Sequence, residues 1–247
     1  MLRSFFIYLS KANWARKLVM GMTLARKMSA RFVAGETLAD AIRVIKELNT
    51  KGINATLDHL GEHTSTAEDS RTATRDILQA LDAIQESGVR ANVSVKLTQF
   101  GLVVDPKLCA DNLAAIVERA ASYNNFVRVD MEDSPVTQIT LDIMREMRQR
   151  GFDNVGIVIQ AYLYRSEADI QQLIQDCYTV RLCKGAYKEP AKVAFPQKKD
   201  VDANYDKLAA MLMEGAKEKG CPSVSDDGRY PPLPGLATHD ARRVEFA

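Results

Sequence analysis

Six short apolar runs, the first five at roughly even intervals and the sixth after a longer gap, constrain the fold more than any other feature. They occupy residues 53–62, 90–97, 126–132, 155–162, 180–184 and 236–240. Between them lie stretches with helical spacing, over about 67–87, 106–122, 135–150, 167–177 and 202–219, and residues 241–247 read as the start of another helix. The period of roughly 30 residues is that of a βα unit. Each run is apolar almost throughout rather than alternating, as in parallel strands covered on both faces. Polar groups collect at the carboxyl ends of the runs: Asp58, Lys96, Asp130, Gln160, Arg181 with Lys184, and Thr238 with His239. A doubly wound sheet gathers its ligand groups mainly at one switch point, whereas a barrel gathers them from nearly every strand end. All six ends carry such groups, so the expected fold is α/β, a (β/α)8 TIM-like barrel with about six βα units present. No GxGxxG turn follows a strand, which weighs against a Rossmann domain.

Residues 4–34 carry apolar side chains at helical spacing and predict one or two helices before the barrel. Thr37 then caps a helix through Ala39, Ile42, Ile45 and Leu48 that stops at Gly52. The expected division is residues 1–52 as N-terminal helices and 53–247 as the barrel. Of the 247 residues 46% are hydrophobic and 26% charged, which suits a sizeable core. A net charge of +1 gives no reason to expect nucleic acid as a partner. The four cysteines lack CxxC or Cys/His spacing and read as reduced thiols of a cytoplasmic protein. No run of 18 apolar residues is present to span a membrane. The apolar start is short and lacks a small-residue cleavage site, so no signal peptide is expected.

The ring of strand-end groups holds two acids, an amide, three cations and a histidine. It contains no Ser/His/Asp set, so acyl transfer is not expected. His59, Glu62 and His63 are the only candidate metal cluster, and no metal site is expected; the two histidines read as surface groups. Asp130 and Glu132 alternate along a run, so paired-carboxylate chemistry between them is not expected. Asp58 and Glu62 read as structural, Lys188 as solvent-facing, and residues 192–200 as a solvated loop. In the segment 180–190, Arg181 offers a planar fork of donors, Lys184 a movable charge, and Gly185 either a positive φ or a close backbone approach. Two chemistries stay open on these residues. Lys96 or Lys184 could form a Schiff base, as in a barrel lyase or aldolase. Alternatively the cations, with Gln160, Thr238 and the backbone at Gly185, could hold a phosphate-bearing, ring-shaped cofactor.

Several of these stretches resemble the proline dehydrogenase family, flavoproteins that oxidise L-proline. They are Asp58-His-Leu-Gly-Glu62, Val93-Ser-Val-Lys96-Leu, Val129-Asp130-Met-Glu132, Ile159-Gln160-Ala-Tyr162, Arg181-Leu-Cys-Lys184-Gly-Ala-Tyr187 and Ala237-Thr238-His239, in order from about residue 50 to 240. The resemblance implies FAD held without covalent linkage on a distorted (β/α)8 barrel, and oxidation of L-proline to Δ1-pyrroline-5-carboxylate. It implies Arg181 near the flavin N5, Gln160 on the isoalloxazine, and Met131, Lys184, Gly185, Ala186, Thr238 and His239 lining the cofactor. It also implies Asp130 as an active-site acid, Lys96 on the proline carboxylate and Tyr187 against the substrate. Electrons would pass to a membrane quinone, which implies a cytoplasmic protein working at the inner face of the membrane. The family barrel also has two further strands and a final helix with a Tyr-x-x-Arg-Arg motif, none of which occurs here; Arg242-Arg243 is not that pair. A truncated member is therefore expected, with open edge strands prone to oligomerisation. The alternatives are the Schiff-base enzyme and a non-catalytic barrel remnant.

Overall fold

The computed structural model describes residues 34–61, 63–219, 225–231 and 234–246. The helices expected over 4–34, together with Glu62 and Cys221, lie outside the described residues. The order is α1 (Leu38–Thr50), β1 (Ala55–Asp58), α2 (Ala67–Ser87), β2 (Ala91–Val95), a 3-10 turn (Leu97–Phe100), α3 (Pro106–Ser122), β3 (Val127–Val129), α4 (Ser134–Gln149), β4 (Val155–Gln160), α5 (Ser166–Gln175), β5 (Val180–Cys183), α6 (Lys198–Lys219), β6 (Gly235–Leu236) and α7 (Ala241–Phe246). All six strands are parallel and pair in sequence order, β1-β2-β3-β4-β5-β6, in one sheet. This is the expected barrel type, as an arc of six βα units.

Local chemistry accounts for the helix boundaries. The Thr37, Thr66 and Asp105 side chains accept from the Asp40, Asp69 and Lys107 N–H groups and cap α1, α2 and α3. Pro106 and Pro135 stand in first turns, where no N–H is needed. Residues 198–200, expected in a solvated loop, instead open α6, which begins four residues earlier than the periodicity from 202 suggested. The first turn of this helix is polar, so its apolar spacing is visible only farther along.

The strands are shorter than the apolar runs. Residues 126–132 read as one strand, but only Val127–Val129 pairs as β3. Asp130 still donates its N–H to the Val95 carbonyl at 2.8 Å, and Glu132 lies beyond the ladder. Alternation sends Val93, Val95, Val127, Val129, Ile157, Ile159 and Leu182 outward, where they are buried under the helices. The register aligns Ser94 with Arg128 and Arg128 with Gly156 on the opposite, inner face, and Val158 with Arg181 one layer on. Full burial on both faces holds for β2, β3 and β4, while β1 and β5 at or near the edges are partly exposed. The core continues outward into Leu81, Ile84, Leu113, Ile116, Met144 and Met147 of α2, α3 and α4.

Residues 225–231, between α6 and β6, lie across the amino-terminal end of the first strands. The Arg229 carbonyl accepts from Asn92 Nδ2 at 2.8 Å, and the Arg229 guanidinium donates to Gln85 Oε1 at 2.8 Å and the Tyr123 carbonyl at 2.9 Å. The Tyr230 ring meets Phe126 edge-on at 5.8 Å. This floor leaves the carboxyl end of the arc as its open face.

Candidate active site

The carboxyl ends of β2 to β6 surround a cleft of about 670 Å³. Lys96, Asp130, Met131, Gln160, Arg181, Lys184, Gly185, Ala186, Tyr187, Thr238 and His239 all line it, so the residues that the resemblance implied for the site come to one place. Val158, Cys183, Lys198, Ala237 and Asp240 complete the wall.

One end of the cleft is an ion-pair network. Asp130 Oδ1 accepts from Arg181 Nη2 and, at 2.7 Å, from Ser94 Oγ. Arg181 Nη2 also lies 3.1 Å from Ser94 Oγ. Lys96 Nζ donates to Asp58 Oδ2 at 2.7 Å and lies 3.5 Å from Asp130 Oδ2. The Lys96 and Arg181 side chains each keep 27% of their surface, enough to meet a ligand. Among the described residues Arg181 is held through Nη2 alone, so its Nε and Nη1 edge has no protein partner. Burial pulls the Lys96 amine down, but Asp58 and then Asp130 outweigh it and hold the pKa above its ordinary value.

A second knot closes the other end. Lys184 Nζ donates to Asp202 Oδ1 at 2.5 Å and Asp240 Oδ2 at 2.6 Å, and Lys198 Nζ reaches the same two carboxylates. Arg243 adds a contact to Asp202 at 3.3 Å. Burial lowers the Lys184 amine, yet Asp202 and Asp240 leave it raised. In return, hydrogen bonding from Lys184 holds both carboxyls below their ordinary value. Arg242 and Arg243 are thus on α7 behind the cleft, with Arg243 absorbed in this knot.

The wall between the knots is braced by Gln160. Its Nε2 donates to the Met131 carbonyl at 3.3 Å and the Glu132 carbonyl at 2.6 Å, and its Oε1 accepts from the Ala186 N–H at 3.3 Å. Both amide protons are therefore used, and the oxygen keeps one lone pair. Gly185 has φ +117, and a Cβ there would stand 2.3 Å from Tyr162 Cδ1. The positive-φ reading of this glycine holds, and the neighbour a Cβ would meet is the Tyr162 ring of the same chain. Beyond it, Glu189 accepts from the Ser134 N–H and Oγ, each at 2.6 Å, tying the loop after β5 to the first turn of α4. Burial pushes the Cys183 thiol up to about 11, so it stays protonated at neutral pH.

The outlying expectations divide. His59, His63 and Lys188 are exposed. Glu132 is buried and takes the Thr98 N–H at 3.1 Å and Oγ1 at 2.6 Å, so it organises the turn after β2 rather than pairing with Asp130. No cluster of three metal-ligating side chains occurs among the described residues. Asp58 holds Lys96, as a structural acid would. Sequence reasoning missed Ser94, Asp202 and Asp240. Ser94 stands two residues before Lys96 on the same face, and Asp240 directly follows Thr238 and His239; either position was a signal.

Comparison with known proteins gives this geometry its context. The family model described as proline dehydrogenase matches residues 41–247. Proline dehydrogenase 2 of Bacillus subtilis is 36% identical over 244 residues, which is 99% of this chain and 75% of the relative. Proline dehydrogenase of Deinococcus radiodurans is 34% identical over 222 residues, covering 88% of this chain and 67% of the relative. Proline utilization A (PutA) from Bdellovibrio bacteriovorus, in a structure inactivated by N-propargylglycine, superposes with a TM-score of 0.78 at 24% identity. That match covers 90% of this chain but only 26% of the larger protein, and it shows the fold alone. With both the family model and relatives above 30% identity spanning most of its length, the chain belongs to the proline dehydrogenase family.

Proposed function

We propose that this protein oxidises L-proline to Δ1-pyrroline-5-carboxylate, with FAD as its cofactor and a membrane quinone as the final electron acceptor. The observation that carries the reading is the pair of pinned cations, Lys96 and Arg181, at one end of a cleft whose apolar wall is formed by Met131, Val158, Cys183, Ala186 and Ala237. The cleft is of ligand size and mixes apolar walls with a few convergent polar groups, as a cofactor site requires. Among the described residues Arg181 keeps an unpartnered donor edge and Gln160 an acceptor lone pair, and the loop at Lys184, Gly185 and Ala186 is partly or fully exposed beside the cleft. These groups, with Met131, Thr238 and His239, would hold FAD. When bound, FAD supplies acceptance of a hydride from the ring carbon of the substrate.

The work of the chain is to orient the ring and to keep charge in place. Lys96 would take the proline carboxylate; Asp58 fixes its position, and the raised pKa keeps it charged at neutral pH. A charge-assisted hydrogen bond of this kind contributes about 1.5–3 kcal/mol. Arg181 would offer a fixed positive charge to the reduced cofactor, and Asp130 with Ser94 holds its guanidinium in place. Tyr187 reaches the cleft from the loop after β5 and would cover the ring of the substrate. Leu60 and Val103 are exposed after β1 and β2, at the open end of the arc, which suits passing contact with a membrane surface. No helix among the described residues is long and apolar enough to cross a membrane.

The test is anaerobic. Purified protein reconstituted with FAD should show a flavin spectrum that L-proline bleaches, with pyrroline carboxylate as product. Arg181→Met should keep the fold and lose the bleaching. A colourless protein that takes up no FAD, or bleaching indifferent to Arg181→Met, refutes the proposal.

A further inference from the structure

One charged side chain inside the arc has no part in the reaction as derived so far. Arg128, on the inner face of β3, is 3% exposed and has no carboxylate within ion-pair distance among the described residues. A buried cation without a counter-charge is costly, and an apolar residue of similar volume would stabilise the fold more. Burial and then the neighbouring Arg181 push its pKa down to about 9, which leaves it charged at neutral pH.

Its geometry says what the charge does. The guanidinium crosses the whole width of β4. Nη1 donates to the Thr179 carbonyl at 2.8 Å and lies 3.4 Å from the Ile157 carbonyl. The crossing is possible because β4 carries Gly156 at that level. A Cβ there would stand 2.7 Å from Arg128 Nη1 and 2.6 Å from Phe126 Cζ. Phe126 supports the guanidinium from below, with its ring 4.7 Å from Cζ. Arg128 therefore links β3 to the start of β5, one layer beneath the Asp130–Arg181 contact. Asp130 follows it two residues on, just past the end of β3, and the carbonyl it holds belongs to the residue two before Arg181. Thr179 does not need Arg128 for satisfaction, because its carbonyl also accepts from the Ile157 N–H at 3.0 Å.

We propose that Arg128 is a positioning residue for the reaction, setting the separation and orientation of Asp130 and Arg181 from the layer below. This rests on the proline dehydrogenase reading for its kinetic arm. The test uses the FAD-loaded full chain and the variants Arg128→Met and Arg128→Lys. Arg128→Met should melt no lower than wild type, because a buried charge has been removed. Its kcat for proline should fall at least about tenfold while KM moves less than about threefold. Arg128→Lys, which keeps a donor and a charge, should recover a substantial part of kcat. A purely structural residue would lower the melting temperature, move kcat and KM together, and gain nothing from lysine; that pattern overturns the inference, as does an unchanged kcat in Arg128→Met. A second arm needs no turnover. Asp130→Asn should shift the unfolding midpoint less in the Arg128→Met background than in wild type, because the Asp130–Arg181 contact that it removes is already loosened there. Additive shifts overturn the inference even if proline is not the substrate, whereas inactive wild type with coupled shifts removes only the substrate assignment.

Discussion

Gly185→Ala isolates the role of the loop after β5 in a single methyl group. The new Cβ meets two separate penalties. The backbone sits at φ +117, outside the range an L side chain readily takes, at a cost of about 1–2 kcal/mol. The methyl also lands 2.3 Å from Tyr162 Cδ1 and 2.6 Å from Cε1 and Cγ. The ring is 7% exposed and belongs to a cluster with Leu163 and Ala194, so it has little room to withdraw; overpacking of this kind costs about 1–3 kcal/mol. Together the substitution should cost about 2–5 kcal/mol. If the loop holds its place, urea unfolding of the apoprotein reads the full cost. If the loop lifts instead, Ala186 and Tyr187 leave the cleft and the cost appears in FAD affinity, as a loss of about thirtyfold or more. Tyr162→Ala in the same chain should return the overpacking part and leave the φ part. If the unfolding free energy and the FAD affinity of Gly185→Ala both stay within about 1 kcal/mol of wild type, the reasoning is wrong.

The knot around Lys184 sets a pH dependence. Asp202 and Asp240 titrate below the ordinary carboxyl value of 3.8 in the folded state, so their stabilisation is complete above that value and is lost as pH falls through the folded values. Asp240→Asn should therefore lower the melting temperature equally at pH 7 and 5, with the gap closing below about pH 4; a gap that widens with acid refutes this. Glu189→Gln keeps an acceptor for Ser134 but removes the charge at the start of α4, and denaturant unfolding should show a loss of about 0.5–2 kcal/mol. Borohydride with carbonyl substrates should leave no adduct on Lys96 or Lys184. Both amines are held protonated by paired carboxylates, the opposite of what a Schiff-base lysine needs, and a trapped adduct would revive that chemistry.

Much of this site is legible in the sequence because parallel strands announce themselves. An uninterrupted apolar run followed by a polar residue marks both a strand and its carboxyl end, so Lys96, Asp130 and Gln160 could be placed around one cleft before any coordinates; Arg181, expected with Lys184 at such an end, is instead the second residue of β5. What the run does not show is where pairing stops. Asp130 and Glu132 read as alternating strand residues, but the ladder ends at Val129 and the backbone turns, which sends Glu132 to Thr98. Partner choice is equally hidden. Lys96 is 38 residues from Asp58, and Lys184 is 18 from Asp202 and 56 from Asp240. Such pairs exist only once the register of the sheet is fixed. Gln160 illustrates a further limit: residue type indicates hydrogen bonding, but only the fold shows that its amide protons are spent on backbone.

The segment beneath the first strands bears on the order in which the molecule assembles. Its bonds join positions 137 and 144 residues apart in the chain, from Arg229 to Asn92 and to Gln85, whereas each βα step closes over a few tens of residues. Loop closure over such separations is paid in chain entropy before any contact forms. The successive βα units can therefore collapse one upon another while the amino-terminal end is still open to water. Tyr230 then arrives against Phe126 late, and with it the support under Arg128. Refolding followed by burial of Tyr230 should lag behind helix formation, and the ring of charges at the opposite end should reach its final arrangement only in that slower phase.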